Sequence, residues 1–186
     1  MAAATATVAT AAQLEQAYSA ECRKLKVKPN STLVAQLKEQ GAGTIAALDL
    51  SANYCGTVNG FNAVMVILRQ GNQGLQTVDL SDCHLTADNV RDLCDLLIKT
   101  QAPVHTLVLH RNRLYIDAGN ALARLARFNA HVVQVLVRDD PEDAEGPRGH
   151  TANHVPERIV RRIEFQCKLN RQALRKALES KAAAAA

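Results

Sequence analysis

The chain has 186 residues, which is room for one domain or one domain with tails. Hydrophobic residues make up 47%, but 31 of them are Ala and aromatics are only 3%, so a core must be built from aliphatic side chains. A net charge of +4 excludes a histone-like polycation, and the absence of eighteen consecutive apolar residues excludes a membrane-spanning helix.

In chain order, residues 1–17 come first. They are rich in Ala and Thr and read as a disordered arm, without the basic start and Leu-rich centre of a signal peptide or the Arg of a transit peptide. Five Cys (Cys22, Cys55, Cys83, Cys94, Cys167) are an odd number without CxxC spacing, so they do not form a disulfide framework. A reducing, cytoplasmic compartment is the expectation, and Asn30-Ser31-Thr32 is then a glycosylation acceptor only by coincidence.

Residues 18–140 carry an internal repeat. Ile45-x-x-Leu48-x-Leu50-x-x-Asn53 recurs as Leu75-x-x-Val78-x-Leu80-x-x-Cys83, as Val104-x-x-Leu107-x-Leu109-x-x-Asn112 and as Val132-x-x-Val135-x-Val137-x-x-Asp140. A truncated copy, Cys22-x-x-Leu25-x-Val27-x-x-Asn30, precedes them. Five units at near-constant spacing point to stacked layers. Within each unit the apolar residues alternate with polar ones, the period of a short strand with one face inward. Asn30, Asn53, Cys83, Asn112 and Asp140 then form a turn ladder, because an amide both donates to and accepts from neighbouring backbone. The thiol of Cys83 and the ionised carboxylate of Asp140 are poorer partners, so those two turns are expected to be looser.

A helix follows each strand. Ser31 heads one through Leu33, Val34 and Leu37; Gly60, Val64, Ile67 and Leu68 share a face of the next. Val90, Leu93, Cys94 and Leu97 follow, with Thr86 as N-cap; then Ala118, Leu122, Leu125 and Phe128, with Asp117 near the cap. The fold class is α/β, a solenoid with a short parallel sheet on its concave side and helices on its convex side.

These units resemble the leucine-rich repeat family in its ribonuclease-inhibitor-like subtype. The segment Leu48-Asp49-Leu50-Ser51-Ala52-Asn53-Tyr54-Cys55-Gly56, with Gly60 and Ala63, carries the resemblance most closely. Cys83 and Asp140 depart from its pattern. The opening run Tyr18-x-x-x-Cys22-x-x-Leu25-x-Val27-x-Pro29-Asn30-Ser31 and the closing run Ile159-x-x-x-Ile163-x-x-x-Cys167-x-x-Asn170-Arg171 are similar to those of repeat proteins common in cilia and flagella. That resemblance implies a structural, non-enzymatic part of the axoneme, associated with doublet microtubules or the dynein regulatory complex.

Residues 141–155, with Pro, Gly and clustered acids, read as a loop. Residues 156–181 read as one helix of about 25 residues, or about 38 Å, followed by an Ala tail at 182–186. Ile159, Ile163, Cys167, Leu174 and Leu178 form its stripe, interrupted by Asn170. Its first two turns are expected to cover the open end of the stack and the rest to project. Eight basic residues against three Glu make it the positive part of the chain, and Arg161, Arg162, Lys168, Arg171, Arg175 and Lys176 are its candidate contacts.

The strand positions between the core leucines define a second candidate surface: one row of Lys26, Asp49, Asp79, Val108 and Leu136, and one of Lys28, Ser51, Ser81, His110 and Arg138. No phosphate loop or nucleophile elbow is present, and no acid or Cys completes a metal site beside His150 and His154. The expectation is therefore a scaffold that binds proteins, with no cofactor, no small-molecule substrate and no membrane. Tubulin or axonemal subunits would meet the basic helix. The alternatives are a structural protein of a ribonucleoprotein such as a mitochondrial ribosome, where the helix meets RNA, and a soluble cytosolic adaptor or inhibitor.

Overall fold

The computed structural model describes residues 9–70, 74–139 and 152–185. The described chain forms α1 (Ala11–Lys24), α2 (Ser31–Gln40), β1 (Ala47–Asp49), α3 (Val58–Gln70), β2 (Thr77–Asp79), α4 (Ala87–Thr100), β3 (Thr106–Val108), α5 (Ile116–Phe128), β4 (Gln134–Leu136) and α6 (Glu157–Ala185). The four strands are parallel and stand side by side in chain order. Their register aligns Leu48, Val78, Leu107 and Val135, so the central residue of every strand is buried and its two neighbours face outward. Period-two alternation in three-residue strands leaves no other way to bury one face. The helices pack in sequence, α3 on α4, α4 on α5 and α5 on α6, and each contributes its buried stripe to one core.

The N-terminal end differs from the expectation. Residues 9 and 10 and the first half of α1 fall within the stretch read as a disordered arm; residues 1–8 lie outside the described residues. Thr10 caps α1 in a reciprocal box with Gln13. Two further N–H groups of its first turn, on Ala11 and Ala12, donate to the carbonyls of Gly43 (2.8 Å) and Gly41 (2.9 Å). Leu14, Tyr18 and Cys22, four apart, are buried, and α1 rests on both α2 and α3. The composition of the arm concealed that stripe.

The truncated copy is not a strand, and the sheet has four strands among the described residues, not five. Cys22-x-x-Leu25-x-Val27 is instead the C-terminal closure of α1. Val27 N–H donates to Cys22 O (2.9 Å) and Lys26 N–H to Arg23 O (3.2 Å), with Lys26 in the left-handed region. This is a Schellman cap, in which two bonds reach back into the last turn and an apolar residue packs on it. It uses the same apolar spacing that a strand would. Ser31 heads α2 as expected, and Asn30 before it is the N-cap, accepting from Leu33 N–H.

The turn ladder forms from Asn30 onward and carries most of the specificity of the turns. Asn30 Nδ2 donates to Asn53 Oδ1 (2.7 Å), and Asn53 Nδ2 donates to Ser51 O (2.9 Å). The Cys83 turn is not loose: its thiol donates to Leu50 O (2.9 Å), and its own N–H and that of Leu85 donate to Asn112 Oδ1 at 3.1 and 3.0 Å. Asn112 Nδ2 donates to Leu80 O (2.7 Å), the place in the previous unit that Cys83 Sγ serves one unit earlier.

Asp140 lies outside the described residues, and the fifth place in the ladder belongs to Asn153. Its Oδ1 accepts from Asn112 N–H (3.1 Å) and Leu114 N–H (2.9 Å), repeating what Asn112 does for Cys83 and Leu85. Its Nδ2 donates to Leu109 O (2.8 Å) and Val137 O (3.0 Å). Asn153-His154-Val155 thus stands where Asn112-Arg113-Leu114 stands one unit earlier, and α6 starts four residues after Asn153 as α5 does after Asn112. The long helix is the helix of the fourth unit, displaced along the sequence by an insertion.

Two glycines are required by close approach. A Cβ on Gly56 would collide with the carbonyl of His84 in the next turn; one on Gly119 would lie 2.5 Å from Val155 Cγ1 and 3.1 Å from Ile159 Cγ2, where α5 meets α6. All five thiols are buried and free. Burial pushes Cys94 up from 9.0 to about 12 and Cys167 to about 11. Tyr18, also raised mainly by burial, reaches about 12.

Two outcomes are expected. Asn153→Ala removes two donated and two accepted bonds and should cost about 2–4 kcal/mol in urea unfolding, comparable with Asn112→Ala; a loss below about 0.5 kcal/mol would return Asn153 to the role of a loop residue. The raised groups stay protonated in the folded chain while the unfolded chain loses its protons from about pH 9. Their contribution is therefore whole below pH 9 and is lost as pH rises toward 11–12. Urea midpoints should fall across that window, and a thiol reagent at pH 8 should label the native chain slowly and all five Cys after unfolding.

Candidate partner-binding surfaces

The outward face of the sheet is built by residues flanking the buried centre of each strand. Register places Asp49, Asp79, Val108 and Leu136 in one line across β1 to β4. Asp49 and Asp79 each turn one carboxylate oxygen back to their own turn, accepting from Ser51 N–H (2.9 Å) and Ser81 N–H (2.8 Å). Val108 and Leu136 are half-buried neighbours at the other end of the line. The surface therefore changes from acidic to aliphatic over four strands.

Three residues expected on this face are placed otherwise. Lys26 and Lys28 are exposed but belong to the cap of α1 and the extended link after it, not to a strand. Arg138 turns to α6. Its guanidinium meets both oxygens of Glu157 (2.7 and 3.0 Å) and both of Glu164 (2.9 and 3.3 Å). These bonds raise the Arg138 pKa further, Glu164 first and Glu157 second. The same contact holds the Glu157 carboxyl below its ordinary value, with Arg161 adding to the effect. His110 faces Asp139, Nδ1 to Oδ1 3.8 Å, and Asp139 also accepts from Arg111 N–H (2.6 Å).

The basic helix is anchored over more than its first two turns. Ile159, Val160, Ile163 and Cys167 are buried against the body. Asn170, expected to interrupt the stripe, continues it: its Nδ2 donates to Ala126 O (2.8 Å) and Val132 O (2.8 Å). Arg171 donates to Val133 O (3.0 Å). With Asn153 on Val137 O, these side chains occupy carbonyls on either side of β4, at the sheet edge where no fifth strand pairs among the described residues. An edge strand needs such cover. Beyond Arg171 the helix leaves the body: Arg175, Lys176 and Leu178 are exposed and Leu174 is half-buried. Phe128, expected on the inner face of α5, is 54% exposed instead, because α5 ends there and Arg127 lies over its ring.

Of the six basic contacts expected on this helix, Arg161 pairs with Glu157 and Arg175 with Glu179, and Arg171 is spent on the β4 end. Arg162, Lys168 and Lys176 form no ion pair among the described residues. Arg158, also exposed and without an ion pair among the described residues, belongs with them.

A further row appears only in three dimensions. Residues that immediately follow ladder positions line up along the turn edge: Tyr54 lies against His84 (ring centroids 5.0 Å), and His154 stacks on Tyr115, three residues after Asn112 (5.3 Å). Between them Arg113 lines a shallow groove of about 570 Å³ with His84, Thr86 and Tyr115. The repeat pattern indexes these positions, but it marks the ladder residue and not the residue after it. Among the described residues no group of three or more His, Cys, Asp or Glu could hold a metal ion, and no helix is long and apolar enough to cross a membrane.

No protein-family model matches the chain, and no curated protein matches it.

Replacing the partner of Glu157 should release its carboxyl. A lowered folded value means that the Arg138–Glu157 contact contributes above the ordinary carboxylate range and is lost as pH falls through that lowered value. In Arg138→Leu the Glu157 side-chain carboxyl, followed by NMR, should titrate at a higher pH than in the parent chain. Thermal stability should barely change, because solvent screens an exposed pair.

Proposed function

We propose that this chain is a leucine-rich repeat solenoid that serves as a protein-binding scaffold, most closely a structural component of the ciliary or flagellar axoneme. The observation that carries the solenoid reading is the ladder from Asn30 through Asn53, Cys83 and Asn112 to Asn153, in which Asn30 bonds the Asn53 side chain and Cys83, Asn112 and Asn153 each bond backbone groups of the turn beside them. Identical layers linked in this way build a stack with a sheet on one side and helices on the other. Such an open sheet presents a broad, shallow surface, which suits a partner's surface better than a small substrate.

The axonemal placement rests on the resemblance of the opening and closing runs. Its opening run is used here as the cap of α1 and the start of α2, and its closing run as the buried side of α6. An assembly of acidic proteins, tubulin among them, would meet the positive helix. A ribonucleoprotein remains the second reading, favoured by the same charge alone.

Fractionation of the native cells separates the readings. Retention of the chain in detergent-extracted axonemes is the expected outcome; sedimentation in a heavy particle that nuclease disperses would replace the axonemal reading with the ribonucleoprotein one. Val108→Glu with Leu136→Glu should weaken retention at least tenfold if the aliphatic end of the sheet is a contact, with the thermal midpoint little changed.

A further inference from the structure

The outer side of α6 carries more than charge. At 100° per residue, Arg158, Arg162, Phe165, Leu169 and Lys176 fall within about 60° of one another around the helix axis. They lie opposite Ile163, Cys167 and Asn170, which are packed on the body. Phe165 is 63% exposed and Leu169 42%, at i and i+4, so two large apolar side chains stand in water in the middle of this face. Arg158 and Arg162 flank them on one side and Lys176 on the other, all exposed and without an ion pair among the described residues. From Arg158 to Lys176 the face extends about 27 Å at 1.5 Å per residue.

We infer that this face docks an acidic amphipathic helix of a partner protein, with a short aliphatic seam against Phe165 and Leu169 and carboxylates at both ends. The inference rests on the protein-binding reading above and names the surface and the chemistry of the partner. Charge complementarity selects an acidic ligand. The apolar centre selects a helix over RNA: Leu169 offers no ring on which a base can stack, and one Phe is a single platform where single-strand binders use several. Helix-on-helix docking needs apolar anchors at i and i+4 with charges outside them, which is the arrangement on this face. The anchoring of α6 by Arg138, Asn170 and Arg171 holds the face rigid, so little ordering cost opposes binding.

The test uses the full chain and fluorescein-labelled probes in anisotropy at 150 mM salt. One probe is a synthetic 21-residue helical peptide with Leu at two positions four apart and Glu on both flanks. A second replaces both Leu by Ser, and a third is a 20-nucleotide single-stranded RNA. The Leu peptide should bind at least tenfold tighter than the Ser peptide. Phe165→Gln with Leu169→Gln should abolish that difference without moving the thermal midpoint, because both residues are exposed and Gln keeps helix propensity. Arg158→Glu with Arg162→Glu should weaken both peptides at least tenfold. Equal binding of the two peptides, indifference to the Gln pair, or tighter binding of the RNA than of either peptide would overturn the inference. Axonemal retention of the Gln pair at the parent level would also overturn it while leaving the scaffold reading standing; absence of the parent chain from axonemes would sink the axonemal reading and leave the peptide result to decide this one.

Discussion

Buried turns must satisfy their backbone groups, and in this chain one side-chain type does most of that work. A carboxamide offers two donors and an acceptor on one rigid group, so a single Asn can close its own turn and fasten the next. Asn112 bonds Leu80, Leu109 and His110 through Nδ2 and Cys83 and Leu85 through Oδ1. Each strand is followed by a turn held by such a side chain. The cost of leaving such donors and acceptors without partners makes the ladder less negotiable than any single apolar contact.

The same requirement explains both ends of the sheet. Beside β4 no further strand pairs among the described residues, and side chains from α6 and Asn153 bond the carbonyls that flank it. The first unit reaches the ladder through Asn30 while its preceding residues close α1 rather than pair with β1. Placing the fourth unit's helix after an insertion lets it become long. Its first half seals the sheet and its second half extends beyond it.

Charge follows from this division of labour. Two of the three Glu of α6 are turned inward to Arg138, and Arg171 is turned inward to a carbonyl. Around Phe165 and Leu169 the outer side of α6 presents Arg158, Arg162 and Lys176 without an ion pair among the described residues. That face has one sign because Glu157 and Glu164 turn to Arg138 beside it.

The sequence by itself determined the parallel sheet, the register of the four strands, the helix after each and the long basic helix, because period-two and period-3.6 spacing leave few ways to bury one face. It also named the ladder at Asn30, Asn53, Cys83 and Asn112. It could not separate the strand from the helix cap at Cys22–Val27, since a Schellman closure and a short strand share the same apolar spacing. It placed the fifth ladder residue at Asp140, because an insertion carries Asn153, which bonds Asn112 and Leu114, out of the periodic register. It read Asn170 as a break in a stripe, where the carbonyls of Ala126 and Val132 make it a fixture. Which cations are spent and which are free was likewise decided only in three dimensions. Ion pairs and edge bonds join residues far apart in the chain, such as Arg138 with Glu164, and no local pattern records them.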